Sequence, residues 1–303
     1  MNVILRDLEK GEEFREMKRL WFGVCLMVLA SVVMAGGTRL AMRKLAESST
    51  QVTGTIHIAP DGSVHDYALD KSERLSPGIR KLIADNVPNW RFQMPQEAEP
   101  STDRQFEMSL LLTARKNPDA DSYSLRIRAA NFRDKLQPAD ERITATLFSP
   151  PKYPPAAVRM NIQGTVYVVL RIDRQGKVRD AFAEQVNLTV LGTENEMNKA
   201  RGMLAQSALE AARGWTFKVP TKGEGAHAEL PTLRMPISYH LSSNPEEAKD
   251  KDGYGKWETY IPGPRMRAPW VAEDLGAPDA LLANQVYDLS SRTPRLLTSL
   301  DQG

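Results

Sequence analysis

Two short stretches, NWRFQMP at residues 89–95 and GWTFKVP at residues 214–220, share one spacing of Trp, Phe and Pro. The residues concerned are Trp90, Phe92 and Pro95 in the first stretch and Trp215, Phe217 and Pro220 in the second. Each stretch follows a helix-like segment, and a large aromatic side chain at a helix exit fills much of a small core between helix and sheet. We therefore predict that Trp90, Phe92, Trp215 and Phe217 are core residues that mark one supersecondary unit, present twice.

The segments around the first stretch predict two strands, a helix and a third strand. GTIHIAPDGSVHDYAL at residues 54–69 alternates apolar and polar residues around a Pro-Asp-Gly turn, which is typical of a β-hairpin. LSPGIRKLIADNV at residues 75–87 has its apolar residues at helical spacing, with a proline near its start. QFEMSLLLTAR at residues 105–115 then favours a strand.

The second stretch lies in the same order of elements. GTVYVVLRIDRQGKVRDAFAEQ from residue 164 predicts a hairpin, MNKARGMLAQSALEAARG from residue 197 a helix, and LRMPISYHLS from residue 233 a last strand. The predicted fold class is α+β, with two small units at residues 51–132 and 148–243 that follow an N-terminal hydrophobic helix. Each unit is expected to be a three-stranded antiparallel sheet packed by a helix.

The charge balance and the cysteine content exclude several classes of function. The 40 basic and 38 acidic residues are mixed along the chain, so we expect no nucleic-acid partner. Cys25 is the single cysteine, which rules out disulfides and thiolate metal sites in the rest of the chain.

An uncharged run at residues 20–37 leaves two interpretations open. As a membrane anchor it would hold the chain in the inner membrane, with Lys18 and Arg19 in the cytoplasm. As a signal peptide that starts at Met17 rather than Met1, it has a basic start, an apolar centre and a small-residue cleavage site that ends at Ala35. In both interpretations, residues 38 onward lie outside the cytoplasm.

The second unit resembles the C-terminal domain family of TonB. The resemblance covers about residues 148–243 and includes a Tyr-Pro pair before a short helix, Tyr153-Pro154, then a Gly-led strand, a turn with Gly, a helix and a Trp-containing exit. Residues 51–114 look like a degenerate second copy without the Tyr-Pro pair.

The resemblance implies a binding mode in which an extended peptide pairs with the last strand of the domain. This mode needs an open strand edge and alternating side-chain positions. The corresponding strand is Leu233–Leu241, and the predicted partner-binding residues are Arg234, Met235, Ile237 and Tyr239. An edge covered by the first unit or by the C-terminal segment is the alternative.

Two hypotheses on function follow from the resemblance. The first is a non-enzymatic cell-envelope protein that recognises a peptide segment or envelope protein by edge-strand pairing. The second is a TonB-type transducer of transport energy to outer-membrane receptors. In that family the membrane helix carries a Ser and a His, whereas residues 20–37 contain Ser31 and no His, which favours the first hypothesis.

No motif for catalysis, a cofactor or a metal is present in the sequence. The four histidines are scattered and lack clustered carboxylates, and nucleophile elbows, phosphate loops and dinucleotide fingerprints are missing. We therefore predict no enzyme activity, no cofactor and no metal. Residues 244–303 form a Pro-rich segment expected to be mostly extended, and swapped homodimers are compatible with such short sheets.

Overall fold

The computed structural model describes residues 46–95, 103–117, 120–134, 136–241, 254–271, 276–289 and 293–300. Within them the fold is mixed α and β, with mostly antiparallel sheets and few helices. The predicted N-terminal hydrophobic helix, Cys25, Ser31 and the cleavage site at Ala35 lie outside the described residues. Among the residues that are described, no helix is both long and apolar enough to span a membrane.

The first sheet is built on a long central strand. Its strands are β1 (Glu47–Ile58), β2 (Val64–Leu69), β4 (Arg104–Lys116), β5 (Tyr123–Asp134) and β11 (Glu258–Tyr260). β1 pairs with β4 along one side, while β11 and β2 share its other side. Helix α1 (Pro77–Asn86) packs on this sheet through the buried Ile79 and Ile83, and Ser76 caps its first turn.

The second sheet has the strand order β12–β10–β7–β8. The bounds are β7 (Gly164–Ile172), β8 (Val178–Leu188), β10 (Thr232–Tyr239) and β12 (Tyr287–Asp288). Helix α3 (Glu194–Ala212) covers one face and begins with a capping box between Thr193 and Glu196, because each side chain accepts a hydrogen bond from the other residue's N–H. The short helix α2 (Pro155–Arg159) precedes β7.

Two short ribbons complete the fold. β3 (Phe92–Gln93) pairs with β13 (Arg295–Leu296), and β6 (Thr144–Leu147) pairs with β9 (Thr216–Lys218). One strand of each ribbon, β3 or β9, follows shortly after Trp90 or Trp215. Both tryptophans and the neighbouring Phe92 and Phe217 are buried.

The sheets differ from the three-stranded arrangement that the sequence pattern predicts. β5 adds a twelve-residue strand after β4, and β11 and β12 add strands from the Pro-rich segment, so the sheets have five and four strands. These strands were missed because their pairing partners are distant in sequence or, for β5, because polar and charged residues interrupt the apolar alternation.

Candidate partner-binding edge

Strand β10 places alternate side chains on opposite faces of the second sheet. Met235, Ile237 and Tyr239 are buried in the core beneath α3, whereas Arg234 lies on the other face and is also buried. Ser238 is the exposed residue of the strand. A partner of this edge would therefore be bound mainly through backbone hydrogen bonds rather than by the predicted side chains.

The outer edge of β10 is covered over its first half by the chain itself. Residues Leu233 and Arg234 pair antiparallel with Asp288 and Tyr287 of β12. Leu289 N–H donates to Thr232 O at 2.9 Å. The edge is therefore not open along its whole length. Its first half is covered by the C-terminal segment, which was one of the two alternatives considered from the sequence.

The covering segment leaves the edge at Pro236. Asn284 N–H donates to Pro236 O at 2.7 Å, and Asn284 has a positive φ of 60°, which turns the chain away from the strand. Because alternate residues of β10 bond to β7, the backbone N–H of Ser238 points to the outer side. No strand pairs with Ser238 on that side within the described residues. This accessible half of the edge carries no strand from the described residues, and the Ser238 side chain on it is exposed.

A polar cavity of 430 Å³ borders the accessible half of the edge. It lies between the two sheets, and its lining includes Thr50, Thr165, Ser238 and Lys256. The buried hydroxyl of Thr50 has no hydrogen-bond partner among the described residues. A strand that continued along β10 past Pro236 would enter a space with hydroxyl groups for its own polar atoms.

A buried ion cluster stands behind the covered half of the edge. The Arg234 guanidinium donates two hydrogen bonds to the Glu184 carboxylate, at 2.7 and 2.8 Å, and Arg265 donates a third at 3.0 Å. Arg234 and Glu184 are almost inaccessible to solvent. Removal of one partner from such a pair leaves an unpaired buried charge, so Arg234 is fixed in the sheet rather than presented to a partner.

The Tyr-Pro pair holds the entry helix against the end of β10. Tyr153 donates from its hydroxyl to Ile162 O at 2.5 Å, and its ring packs edge-on against Tyr239 with centroids 5.4 Å apart. Pro154 has extended backbone angles and stands immediately before α2. The pair therefore positions residues next to the accessible end of the edge.

A layer of residues from the C-terminal segment joins the two sheets. Asp279, in a short 3₁₀ turn at Pro278–Ala280, accepts hydrogen bonds from Asn187 at 2.7 Å and from the Tyr260 hydroxyl at 2.8 Å. Burial and the nearby Asp279 carboxylate raise the pKa of Tyr260, so its hydroxyl remains a donor. No local pattern in the sequence predicts this layer, because Asp279 is separated from Asn187 by 92 residues and from Tyr260 by 19 residues.

The described residues contain no group of three or more His, Cys, Asp and Glu side chains that could hold a metal ion. His65 pairs with Asp103, and this carboxylate raises the pKa of the histidine. His57 lies opposite Asp66 in the first hairpin and not opposite His65. Neither histidine is therefore placed with the other in a shared metal site.

Comparisons with known proteins give a family match within the second sheet, at residues that precede β10. Residues 149–183 match the family model described as "Gram-negative bacterial TonB protein C-terminal". A stretch of 101 residues is 32% identical to Protein TonB of Xanthomonas campestris pv. campestris strain B100, over 33% of this chain and 39% of that protein, and the protein of strain ATCC 33913 gives the same values.

The chain thus spans about two fifths of the length of the curated relatives it matches. No solved structure is significantly similar to it. The matched family residues include the Tyr-Pro pair, α2, β7 and the first part of β8. β10 lies outside the match and pairs with the matched strand β7. The protein accordingly contains a TonB C-terminal domain.

Proposed function

We propose that this protein acts in TonB-type transport energy transduction and contacts outer-membrane receptors through the outer edge of β10. The observation that carries the proposal is the backbone of Ser238, which no strand of the described residues pairs on its outer side. Ser238 lies in a sheet whose strand β7 and first part of β8 match the TonB C-terminal family model. An unpaired strand edge binds an extended segment by main-chain hydrogen bonds. This function is the second hypothesis drawn from the sequence, and the similarity to the Xanthomonas proteins favours it over the first.

A second part of the proposal is that the two sheets are copies of one unit. Gly62 and Gly176 both have positive φ at a hairpin turn, and the carbonyl of each accepts a 2.8 Å hydrogen bond from the phenylalanine after the buried tryptophan. Gly54 and Gly164 also correspond, because a Cβ at either would lie within 2.2 Å of a carbonyl oxygen on the paired strand. These matched backbone contacts at corresponding positions support an internal repeat.

The two copies differ at the position beside their last strand. In the first sheet β5 pairs with β4 along the residues from Phe106 to Lys116 of β4. In the second sheet β12 pairs with β10 only at Leu233 and Arg234. A filled edge cannot accept another strand. The first unit therefore serves as a structural support, and the second unit contacts the partner.

A passive envelope-binding role is the second candidate function. The observation in its favour is the lack of a histidine in residues 20–37, since an ionisable group within the membrane is what coupling to a proton gradient would use. Either candidate places the described residues in the periplasm, after cleavage near Ala35 or with residues 20–37 as an inner-membrane anchor. Both candidates are non-enzymatic.

A photo-crosslinking experiment in the native cells distinguishes these functions. The full chain carries a benzophenone amino acid at position 238, and cells are irradiated with and without a protonophore. Energy transduction predicts crosslinks to outer-membrane receptors, identified by mass spectrometry, whose yield depends on the proton gradient. Passive binding predicts crosslinks to an envelope protein whose yield does not change.

The matched control places the same amino acid at Tyr123, an exposed residue on β5 in the first sheet. Equal crosslinks from both positions, or none from position 238, would contradict binding at this edge. Crosslinks between two copies of this chain would instead assign the edge to a homodimer.

The hydrogen-bonding role of the edge is tested by Ser238→Pro. Proline removes the outward N–H, and the bonds between β10 and β7 remain because they involve the neighbouring residues. For this test the crosslinker is moved to His240, the exposed residue that directly follows β10. We expect Ser238→Pro to lower the crosslinking yield at His240, and Ser238→Ala, which keeps the N–H, to retain it. The same substitution at Ile237 would be unsuitable, because its N–H lies on the β7 side.

A further inference from the structure

The segment that covers the first half of the β10 edge is bound as a short strand with a defined sequence. Residues 284–289 read NQVYDL. They contact β10 through β12 and through the amide groups of Asn284 and Leu289 described above. This segment occupies the position that a partner strand would take.

Two adjacent side chains of the segment point to opposite sides. Val286 packs against the core of the second sheet, and Tyr287 is buried on the side of the first sheet. The guanidinium of Arg133 lies 6.0 Å from the centroid of the Tyr287 ring, and Leu282 N–H donates to the tyrosine hydroxyl at 2.8 Å. One aliphatic and one aromatic side chain therefore anchor the strand.

The pairing of this segment is short compared with the edge available. β12 covers Leu233 and Arg234, but β10 extends from Thr232 to Tyr239. A longer strand in the same position would keep the pairing at Leu233 and add hydrogen bonds beyond Pro236, beside the polar cavity. A longer strand would therefore make backbone hydrogen bonds that the attached segment does not make.

From these contacts we propose that residues 284–289 are a built-in mimic of the partner strand and must leave the edge before a partner can bind along its full length. The partner is an extended peptide that runs antiparallel to β10 and presents an aliphatic residue followed directly by an aromatic one. This inference rests on the proposed function for the identity of the edge, while the displacement itself is measured separately.

Displacement is tested with a fluorescein-labelled synthetic peptide of residues 282–291, LANQVYDLSS, and the purified full chain. In the wild-type chain the covalently attached segment competes with the peptide, which lowers the apparent affinity by the fraction of molecules with a vacant edge. Tyr287→Ala removes the aromatic anchor of that segment. We expect this variant to bind the peptide at least about tenfold more tightly than the wild type, as measured by fluorescence anisotropy.

Two controls make the expected result specific. Tyr123→Ala removes an exposed tyrosine from the first sheet and should leave the affinity at the wild-type value. A peptide with its tyrosine replaced by alanine should lose at least about tenfold in affinity for Tyr287→Ala, because the aromatic contact to Arg133 is then missing. Equal affinity of the wild type and Tyr287→Ala would overturn the inference.

A milder variant covers the case in which Tyr287→Ala does not fold, as judged by circular dichroism. Tyr287→Phe keeps the ring and loses only the hydroxyl that accepts from Leu282. It should show a smaller gain in peptide affinity in the same direction, and an unchanged affinity would count against the mimic.

The receptor experiment separates this inference from the proposed function. If the peptide exchanges as expected but position 238 gives no envelope crosslink, the mimic stands and the proposed function fails. If crosslinks form with equal yield in the wild type and Tyr287→Phe while the peptide does not exchange, the function stands and the mimic fails.

Discussion

At the scale of single residues, the hairpin turns depend on glycines that no other residue can replace. Gly176 has a φ of +74°, and a Cβ built there would lie 1.7 Å from Phe217 O. The carbonyl of Gly176 meanwhile accepts a hydrogen bond from Phe217 N–H, which ties the turn to the buried aromatic pair. The close approach requires both the left-handed backbone and the missing side chain.

We therefore expect Gly176→Ala to lower the free energy of unfolding by about 1–3 kcal/mol from backbone strain alone, with the clash against Phe217 in addition. Urea denaturation followed by circular dichroism measures the change. Gly202→Ala is the matched control, because Gly202 lies inside α3 and a Cβ there would meet nothing within 4 Å. It should raise the stability by about 1 kcal/mol through helix propensity. A loss of stability in both variants would show that the turn geometry is not the cause.

At the scale of elements, the corresponding strands β4 and β10 of the two sheets differ in how completely their edges are paired. β4 lies between β1 and β5, whereas β10 lies between β7 and the short β12. The amide of Ser238 faces a side on which no strand of the described residues lies, whereas the amide of Arg234 faces β12. Protection from hydrogen exchange follows local pairing and opening.

We expect the Ser238 amide to exchange at least about tenfold faster than the Ile237 amide, which bonds to β7, in hydrogen-exchange measurements by NMR. Residues in the middle of β4, such as Leu110 and Leu111, should both be protected because each side of this strand is paired. Equal protection of Ser238 and Ile237 would mean that the edge is covered beyond Pro236.

Periodicity in the sequence predicted the hairpins, the two main helices and the strands that follow them, since their apolar faces are continuous and local. The resemblance to the family could also be predicted, because it depends on a continuous stretch of sequence that begins with Tyr153-Pro154 and lies within the matched residues. The strand β12 could not be predicted, because a strand of two residues is too short to show an alternation of apolar and polar residues. Its partner β10 also lies some fifty residues earlier in the chain. The Arg234–Glu184 pair was missed for the same reason, since only the register of β7 between their strands brings the two residues together.

At the scale of the whole molecule, the C-terminal segment links the two sheets. Tyr260 pairs with Glu47 of β1, and the next residue, Ile261, exchanges backbone hydrogen bonds of 2.9 and 3.0 Å with Leu188 of β8. Further along, Ser109 of the first sheet donates to Ala280 O, and Asn187 of the second sheet donates to Asp279. The sheets are therefore held together mainly by residues of this segment.

Asp279 is the residue whose loss should weaken this link most directly. Asp279→Ala leaves the buried donors of Asn187 and Tyr260 without their acceptor, at a cost of about 1–3 kcal/mol each. Because these bonds lie between the sheets and not within either, we expect the sheets to unfold at different urea concentrations in this variant and together in the wild type. Hydrogen exchange with mass spectrometry, on peptides from β4 and from β7, reports each sheet separately.

Asp121→Ala provides the control, since the Asp121 side chain is 96% exposed and its ion pair with Lys116 lies at the surface. This variant should unfold as the wild type does. If Asp279→Ala instead lowered the stability of both sheets equally, the buried carboxylate would support a single cooperative unit. The segment would then be part of one core, and its release from β10 would have to occur without separation of the sheets.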